Sequence, residues 1–268
     1  MIPGRLWLVG CGNMGGAMLR RWIDAGLDPA QLLVIDPGAP TLPTGVEQVA
    51  TVPAGASAPD WLVLAVKPQQ LDEVAPALRH WNGTPPVVLS ILAGAEAAIL
   101  AKKLGVAVVV RAMPNLPVAI GKGVTALWSD TADADADVRD AMTRLCAPLG
   151  LVEWLAREDE FHAIIGLPGS GPGFVFRFIE ALERGAIDLG LPADQARRLA
   201  VATVEGAAAL AAESGDDPHD LAARVASKGG TTQRGLDVLD QDAALMRLIA
   251  ATMRAAADRS REMAAEAR

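Results

Sequence analysis

Leu6-Trp7-Leu8-Val9-Gly10-Cys11-Gly12-Asn13-Met14-Gly15, continued by the helix-like Gly16–Ala25 and closed by Gly26, decides the reading of this chain. The run Leu6–Val9 is continuously apolar, as suits a parallel strand covered on both faces, and the glycine loop follows it at once. In the order strand, G-x-G-x-x-G, helix, each glycine has a task. Gly10 makes the tight turn, Gly12 lets backbone approach a pyrophosphate, and Gly15 allows close packing of helix on strand. The helix start adds unpaired N–H groups and a partial positive charge for phosphates. Asn13 and Met14 complete the expected cofactor loop.

A second apolar run, Leu32–Ile35, ends at Asp36, 21 residues after Gly15. An acidic residue there can accept hydrogen bonds from the adenosine ribose hydroxyls. A 2′-phosphate would meet that carboxylate, and no Arg or Lys occurs between Arg21 and Lys67 to offset it, so NADH is expected over NADPH. The competing assignment makes Asp36 a turn residue before Pro37-Gly38. Cys11, inside the loop, reads as a small space-filling residue.

Further runs at Trp61–Val66, Val87–Ile91 and Val106–Val110 alternate with helix-like segments, which predicts βαβ units. Another strand is expected at Val124–Trp128, then a helix at about Asp135–Ala147 and the short run Leu151–Trp154. Composition shifts near residue 155: all six Trp and 14 of 18 Pro precede Arg157, whereas all four Phe follow it. Beyond that point apolar positions recur at helical spacing. One stripe is Leu245, Leu248, Ile249, Thr252, Met253, Ala256, Ser260 and Met263; others are Phe174, Phe178, Ile179, Leu182, Ala186 and Ala196, Leu199, Ala200, Thr203, Val204, Ala207, Leu210. The expected fold class is α/β, a Rossmann-type doubly wound parallel sheet over residues 1–155 with an all-α dimerisation domain over 156–268. Helices this rich in apolar surface complete their core with a second subunit, so a homodimer or larger is expected.

A net charge of −8 disfavours nucleic acid as a partner. The apolar run Trp61–Val66 is far below the ~20 residues of a membrane helix, and the N-terminal run is too short for a signal peptide, which makes the cytoplasm the expected compartment. Cys11 and Cys146 offer no zinc-ligand spacing and no disulfide framework, and no metal site is expected. His80, His162 and His219 show no partner pattern and read as surface or packing residues. The acidic run Asp130–Asp140 reads as the solvated start of a helix.

Five motifs, in order, carry a resemblance: Gly10–Gly15; Ala65-Val66-Lys67-Pro68-Gln69; Arg111-Ala112-Met113-Pro114-Asn115-Leu116-Pro117; Gly169-Ser170-Gly171-Pro172; and Gly229-Gly230-Thr231-Thr232. Together they resemble pyrroline-5-carboxylate reductase over nearly the whole chain. The resemblance implies reduction of the ring imine of 1-pyrroline-5-carboxylate to L-proline by NAD(P)H, a small anionic imine as substrate, an active site between subunits, and dimers often assembled into decamers. It places Thr232 beside the ring nitrogen and gives Lys67 a position near the nicotinamide half of the cofactor. Ala65, Val66 and Pro68 flank that lysine. Asn115 is expected to orient substrate or nicotinamide, or to make an Asn-Leu-Pro turn.

The residues suit that chemistry. Imine reduction needs a hydride donor held face to face with the C=N carbon and a group that hydrogen-bonds the ring nitrogen; it needs no metal or nucleophile. Ser227-Lys228-Gly229-Gly230-Thr231-Thr232 precedes the helix-like Gln233–Leu239 and offers free N–H groups to a carboxylate. Thr232 is the first candidate for the proton-donating or hydrogen-bonding role, with Ser227 shaping the loop; ordinary helix capping is the competing role. Here Arg224-Val225-Ala226-Ser227-Lys228 departs from the family, whose usual proline has become Lys228. Another departure is Pro168-Gly169-Ser170-Gly171-Pro172-Gly173-Phe174. Arg224 and Lys228 would add positive charge beside an anionic substrate, yet a shift to another cyclic imine, to a keto or hydroxy acid, or to a catalytically weak dinucleotide-binding protein also fits these changes. Residues 218–235 hold Arg224, Lys228 and Arg234 against Asp220 alone.

Overall fold

The structure, a computed structural model, describes residues 2, 4–53, 55–79, 81–130 and 136–266. Eight strands form its sheet: β1 Leu6–Val9, β2 Leu32–Ile35, β3 Glu47–Val49, β4 Trp61–Leu64, β5 Val87–Ser90, β6 Val109–Pro114, β7 Gly123–Trp128 and β8 Gly150–Trp154, in the order β3-β2-β1-β4-β5-β6-β7-β8. The helices are α1 Asn13–Asp24, α2 Leu71–Val74, α3 Ala97–Leu104, α4 Ala136–Cys146, α5 Phe161–Ile164, α6 Gly171–Asp188, α7 Ala193–Ser214, α8 Pro218–Val225, α9 Thr231–Asp240 and α10 Ala244–Glu266. They divide between two compact units, residues 1–169 with 256–268, and residues 170–255.

The first unit is the doubly wound sheet. Pairing is parallel from β3 through β6, with β1 between β2 and β4. Successive apolar residues point to opposite faces, so the runs feed two cores. Leu6 and Leu8 join Met18, Leu19 and Trp22 of α1 and Met142 and Leu145 of α4 on one face. Trp7 and Val9 join Leu71, Leu78, Leu100 and Leu104 on the other. Trp22 is fully buried, and its indole N–H donates to the Leu145 carbonyl at 2.8 Å, which ties α1 to α4. Cys146, in the same core, has its thiol pushed up to about 12 by burial alone.

Several expectations are corrected here. The last strand pairs are not uniformly parallel: β7 runs antiparallel to β6, with Arg111 opposite Trp128, while β8 is parallel to β7. The strand expected at Val106–Val110 sits at Val109–Pro114, because Gly105 at φ +64 closes α3 and Val106 is taken up by the turn after it. α1 begins at Asn13, three residues earlier than the sequence suggests, because Gly15 and Gly16 are helical. β3 carries no apolar run; it is an edge strand, Glu47-Gln48-Val49, paired only to β2. The sheet ends at Trp154, near the expected boundary at 155, while the compact unit runs on to Gly169 and regains residues 256–268. Residues 131–135 of the acidic run, and His80, lie outside the described residues.

The second unit is entirely helical; two of the sequence stripes fall on its α6 and α7, and the third runs along α10, whose residues from Ala256 onward belong to the first unit. Arg197 of α7 bridges Glu183 of α6 at 3.0 Å. Only Ala196 and Ala200 are buried in this unit, whereas Phe176, Phe178, Leu199, Leu210 and Leu248 stand about half exposed or more. Two buried alanines cannot offset an ordering cost of ~1 kcal/mol or more per residue. The unit therefore needs a further apolar surface against it. No helix among the described residues is long and apolar enough to cross a membrane.

Candidate active site

The glycine loop leaves β1 at the C-terminal edge of the parallel strands, where ligands bind in open α/β sheets. Gly10 has φ +90, and a Cβ there would stand 2.7 Å from the Ala65 carbonyl oxygen and 2.8 Å from the Val66 amide nitrogen. Ala65 and Val66 thus brace the loop from the end of β4. Gly15 packs so closely that a Cβ would run into the carbonyl oxygen of Gly10. Gly12 is different. Its backbone is extended (φ −71, ψ −160), it caps the N-terminus of α1, and a Cβ on it would meet nothing within 4 Å. Open space over a helix start whose first amides lack intrahelical partners is the cradle a diphosphate requires. Asn13 is exposed and Met14 half-buried in that first turn.

Asp36 makes the turn considered for it and also holds the glycine loop. Its Oδ2 accepts the Cys11 amide at 2.6 Å and its Oδ1 accepts the Gly38 amide at 2.7 Å, so the carboxylate fixes the glycine loop and makes the turn. Gln48 of β3 donates to the Asp36 carbonyl at 2.9 Å. Burial, then the Asp36 carboxylate, pushes the Cys11 thiol up while Arg20 pulls it down. Cys11 is a buried, neutral packing residue.

Lys67 is exposed directly before Pro68, with its amide donating to Gln70 Oε1 at 3.1 Å. Of the two roles expected for Asn115, the turn is the one seen: it caps the 3-10 helix Leu116–Ile120, and its carbonyl accepts the Val118 amide at 3.1 Å. Asn115 is 7% exposed, its Nδ2 donates to the Pro168 carbonyl at 2.8 Å, and its Oδ1 accepts the Val124 amide at 2.8 Å. Both ends of the carboxamide hold protein groups, so Asn115 braces β6, β7 and the segment Ile165–Gly169 instead of presenting its amide to a ligand.

An arrangement that the sequence reading missed surrounds Arg111, which is 8% exposed within β6. Its Nη1 donates to Glu158 Oε1 at 2.8 Å, its guanidinium lies 4.5 Å from the Phe161 ring centre, and the same Glu158 oxygen accepts the Ala97 amide at 2.9 Å. A cavity of about 320 Å³ beside it is also lined by His162 and Ser260, whose Nδ1 and Oγ are 2.8 Å apart. Burial, then Arg261 and Arg111, holds the imidazole of His162 below its usual range. The available signal was an arginine inside an apolar strand run, which demands a buried partner. His219 sits at the start of α8, its amide held by Asp217 at 2.8 Å.

Ser227, Gly229, Gly230, Thr231 and Thr232 belong to the helical unit. Gly229 has φ +75, the Gly230 amide donates to the Ser227 carbonyl at 2.8 Å, and Gly230 is the N-cap of α9. Neither threonine caps the helix; both are exposed in its first turn, where backbone amides lack intrahelical acceptors. The cation excess read from residues 218–235 shrinks in the structure, because Arg224 pairs with Asp216 at 2.7 Å and Arg234 lies 3.8 Å from Asp237. Lys228 makes no ion pair among the described residues.

Both parts of the chain resemble known proteins. A family model described as pyrroline-5-carboxylate reductase dimerisation matches residues 158–263, and one described as NADP oxidoreductase, coenzyme F420-dependent, matches residues 5–94. The pyrroline-5-carboxylate reductase of Aquifex aeolicus is 35% identical, covering 88% of this chain and 89% of its own. A pyrroline-5-carboxylate reductase structure from Coxiella burnetii superposes with a TM-score of 0.86 at 32% identity, covering 97% of this chain and 98% of its own. The Plasmodium falciparum pyrroline carboxylate reductase, solved with NADP bound, shares the fold with a TM-score of 0.81 at 23% identity, over 98% and 99% of the two chains.

Proposed function

The chain belongs to the pyrroline-5-carboxylate reductase family, and on that premise we propose that it reduces the ring imine of 1-pyrroline-5-carboxylate to L-proline with NADH as the favoured donor. It is an NAD(P)-dependent oxidoreductase acting on a CH–NH bond. The observation that carries the reading is the pair of ligand-ready helix starts: Gly12 opening α1, and Gly230 opening α9 behind Gly229.

Gly10, Gly12, Asn13, Met14 and Gly15 would hold the diphosphate, with Asp36 beside the adenosine ribose and Ala65, Val66, Lys67 and Pro68 toward the nicotinamide half. When bound, the nicotinamide supplies the hydride. The chain's own residues do the rest. The first-turn amides of α9 with Gly229, Gly230 and Thr231 take the substrate carboxylate, and Lys228 adds an unpaired positive charge at that loop. The Thr232 hydroxyl hydrogen-bonds the ring nitrogen as it becomes an amine, and Ser227 holds the loop through its carbonyl. Asp36 favours NADH, because a 2′-phosphate would stand against its carboxylate. The helical unit is proposed to act as a homodimer, from which the decamer implied by the resemblance would be built, in the cytoplasm.

Thr232→Ala separates this role from a structural one. The expected result is a kcat lower by about 100-fold or more, the lower end of the usual scale for a lost proton-transfer group, with the dissociation constant for NADH unchanged. Full turnover in this variant would remove Thr232 from the chemistry.

A further inference from the structure

We propose that Arg20 is a second determinant of cofactor choice, a guanidinium placed to receive the 2′-phosphate of NADPH next to Asp36. This rests on the reading that the glycine loop holds NAD(P)H.

Arg20 is exposed two turns into α1, and side chains on a helix lean toward its N-terminus. One turn earlier stands Gly16, and the missing side chain there leaves room for the guanidinium to turn back toward the loop. The point where a Gly16 Cβ would stand is 3.4 Å from Arg20 Nη1 and 3.7 Å from Cys11 Sγ. The amide of that same Cys11 donates to Asp36 Oδ2 at 2.6 Å. Cys11 therefore has the carboxylate bound to its backbone and the guanidinium near its side chain, and its thiol feels both charges in opposite senses.

The two charges differ in what they have left to offer. Each Asp36 oxygen already accepts a main-chain N–H, from Cys11 and from Gly38, so the carboxylate is fixed and cannot swing away from a phosphate. Arg20 makes no hydrogen bond or ion pair among the described residues. Its neighbour Arg21, by contrast, is spent on Asp24 and on the Pro148 carbonyl, both at 3.4 Å. A free guanidinium offers a planar fork that matches phosphate oxygens. Arg20 thus limits the discrimination that Asp36 imposes, and the sequence argument that no cation follows Arg21 overlooks the one just before it.

Calorimetric titration of the full-length protein with NADH and with NADPH, for the wild type, Arg20→Ala and Arg20→Lys, tests this without turnover. Arg20→Ala is expected to weaken NADPH binding by about tenfold, the scale of one charge-assisted hydrogen bond. NADH binding should stay within about twofold, and the NADPH loss should shrink as salt is raised. Arg20→Lys should recover part of the affinity, as a point charge without the fork. Equal losses for both dinucleotides would place the guanidinium on a part they share and overturn the proposal, as would no loss for either. If the wild type bound neither dinucleotide, the glycine-loop reading would fall and this inference with it.

Discussion

Replacing Gly12 by valine is expected to leave a folded protein that no longer binds NADH. The structure separates the two effects at this position. A side chain on Gly10 or Gly15 would strike backbone in the loop or at the end of β4, so substitution there damages the fold itself. A Cβ on Gly12 meets nothing within 4 Å, and its negative φ is open to any residue. The branched valine would instead fill the space over the start of α1 that a diphosphate must enter. Losing that approach should raise the dissociation constant by about 100-fold or more, roughly 3 kcal/mol, with circular dichroism and thermal midpoint close to wild type. NADH binding of wild-type strength by Gly12→Val would mean that the loop does not hold the phosphates.

The second large effect concerns the helical unit. Phe178 lies on the stripe Phe174, Phe178, Ile179, Leu182 of α6 and is 47% exposed in the single chain. A homodimer that covers this stripe would bury a glutamate introduced there, at a cost of several kcal/mol. Phe178→Glu is therefore expected to weaken self-association by about 1000-fold or more, read by light scattering after size exclusion. Melting should also shift to lower temperature as the protein is diluted, because the unit lacks a core of its own. A wild-type chain that is monomeric at the same concentration, and unfolds cooperatively, would contradict this account of the exposed face.

What was legible in the sequence follows from how strongly local physics constrains each element. Runs such as Leu6–Val9 and Leu32–Ile35 are buried on both faces and could be bounded to the residue. β3 is a polar edge strand, Glu47-Gln48-Val49, whose pairing is decided by β2 and not by its own composition. The antiparallel turn of β7 was hidden for a similar reason, because strand direction belongs to the connection through Leu116–Ile120 and not to the apolar run. In the glycine loop, Gly10 and Gly15 were readable because each answers a backbone requirement, a positive φ in one case and a close approach in the other. Asn115 stayed open between a ligand contact and a turn because an Asn before Leu-Pro looks the same in sequence whether its carboxamide faces a ligand or braces two strands. Arg20 was missed because its use depends on an absent side chain at Gly16, a relation visible only when α1 is built.

Members of the family are named for one reaction, so its direct observation weighs most. Purified protein, 1-pyrroline-5-carboxylate and either dinucleotide suffice, with loss of reduced-nicotinamide absorbance and formation of L-proline followed together. The expected result is saturable oxidation of NADH with one proline formed per NADH consumed, at a higher kcat/KM than with NADPH. No oxidation of either dinucleotide in the presence of this imine would contradict the assignment.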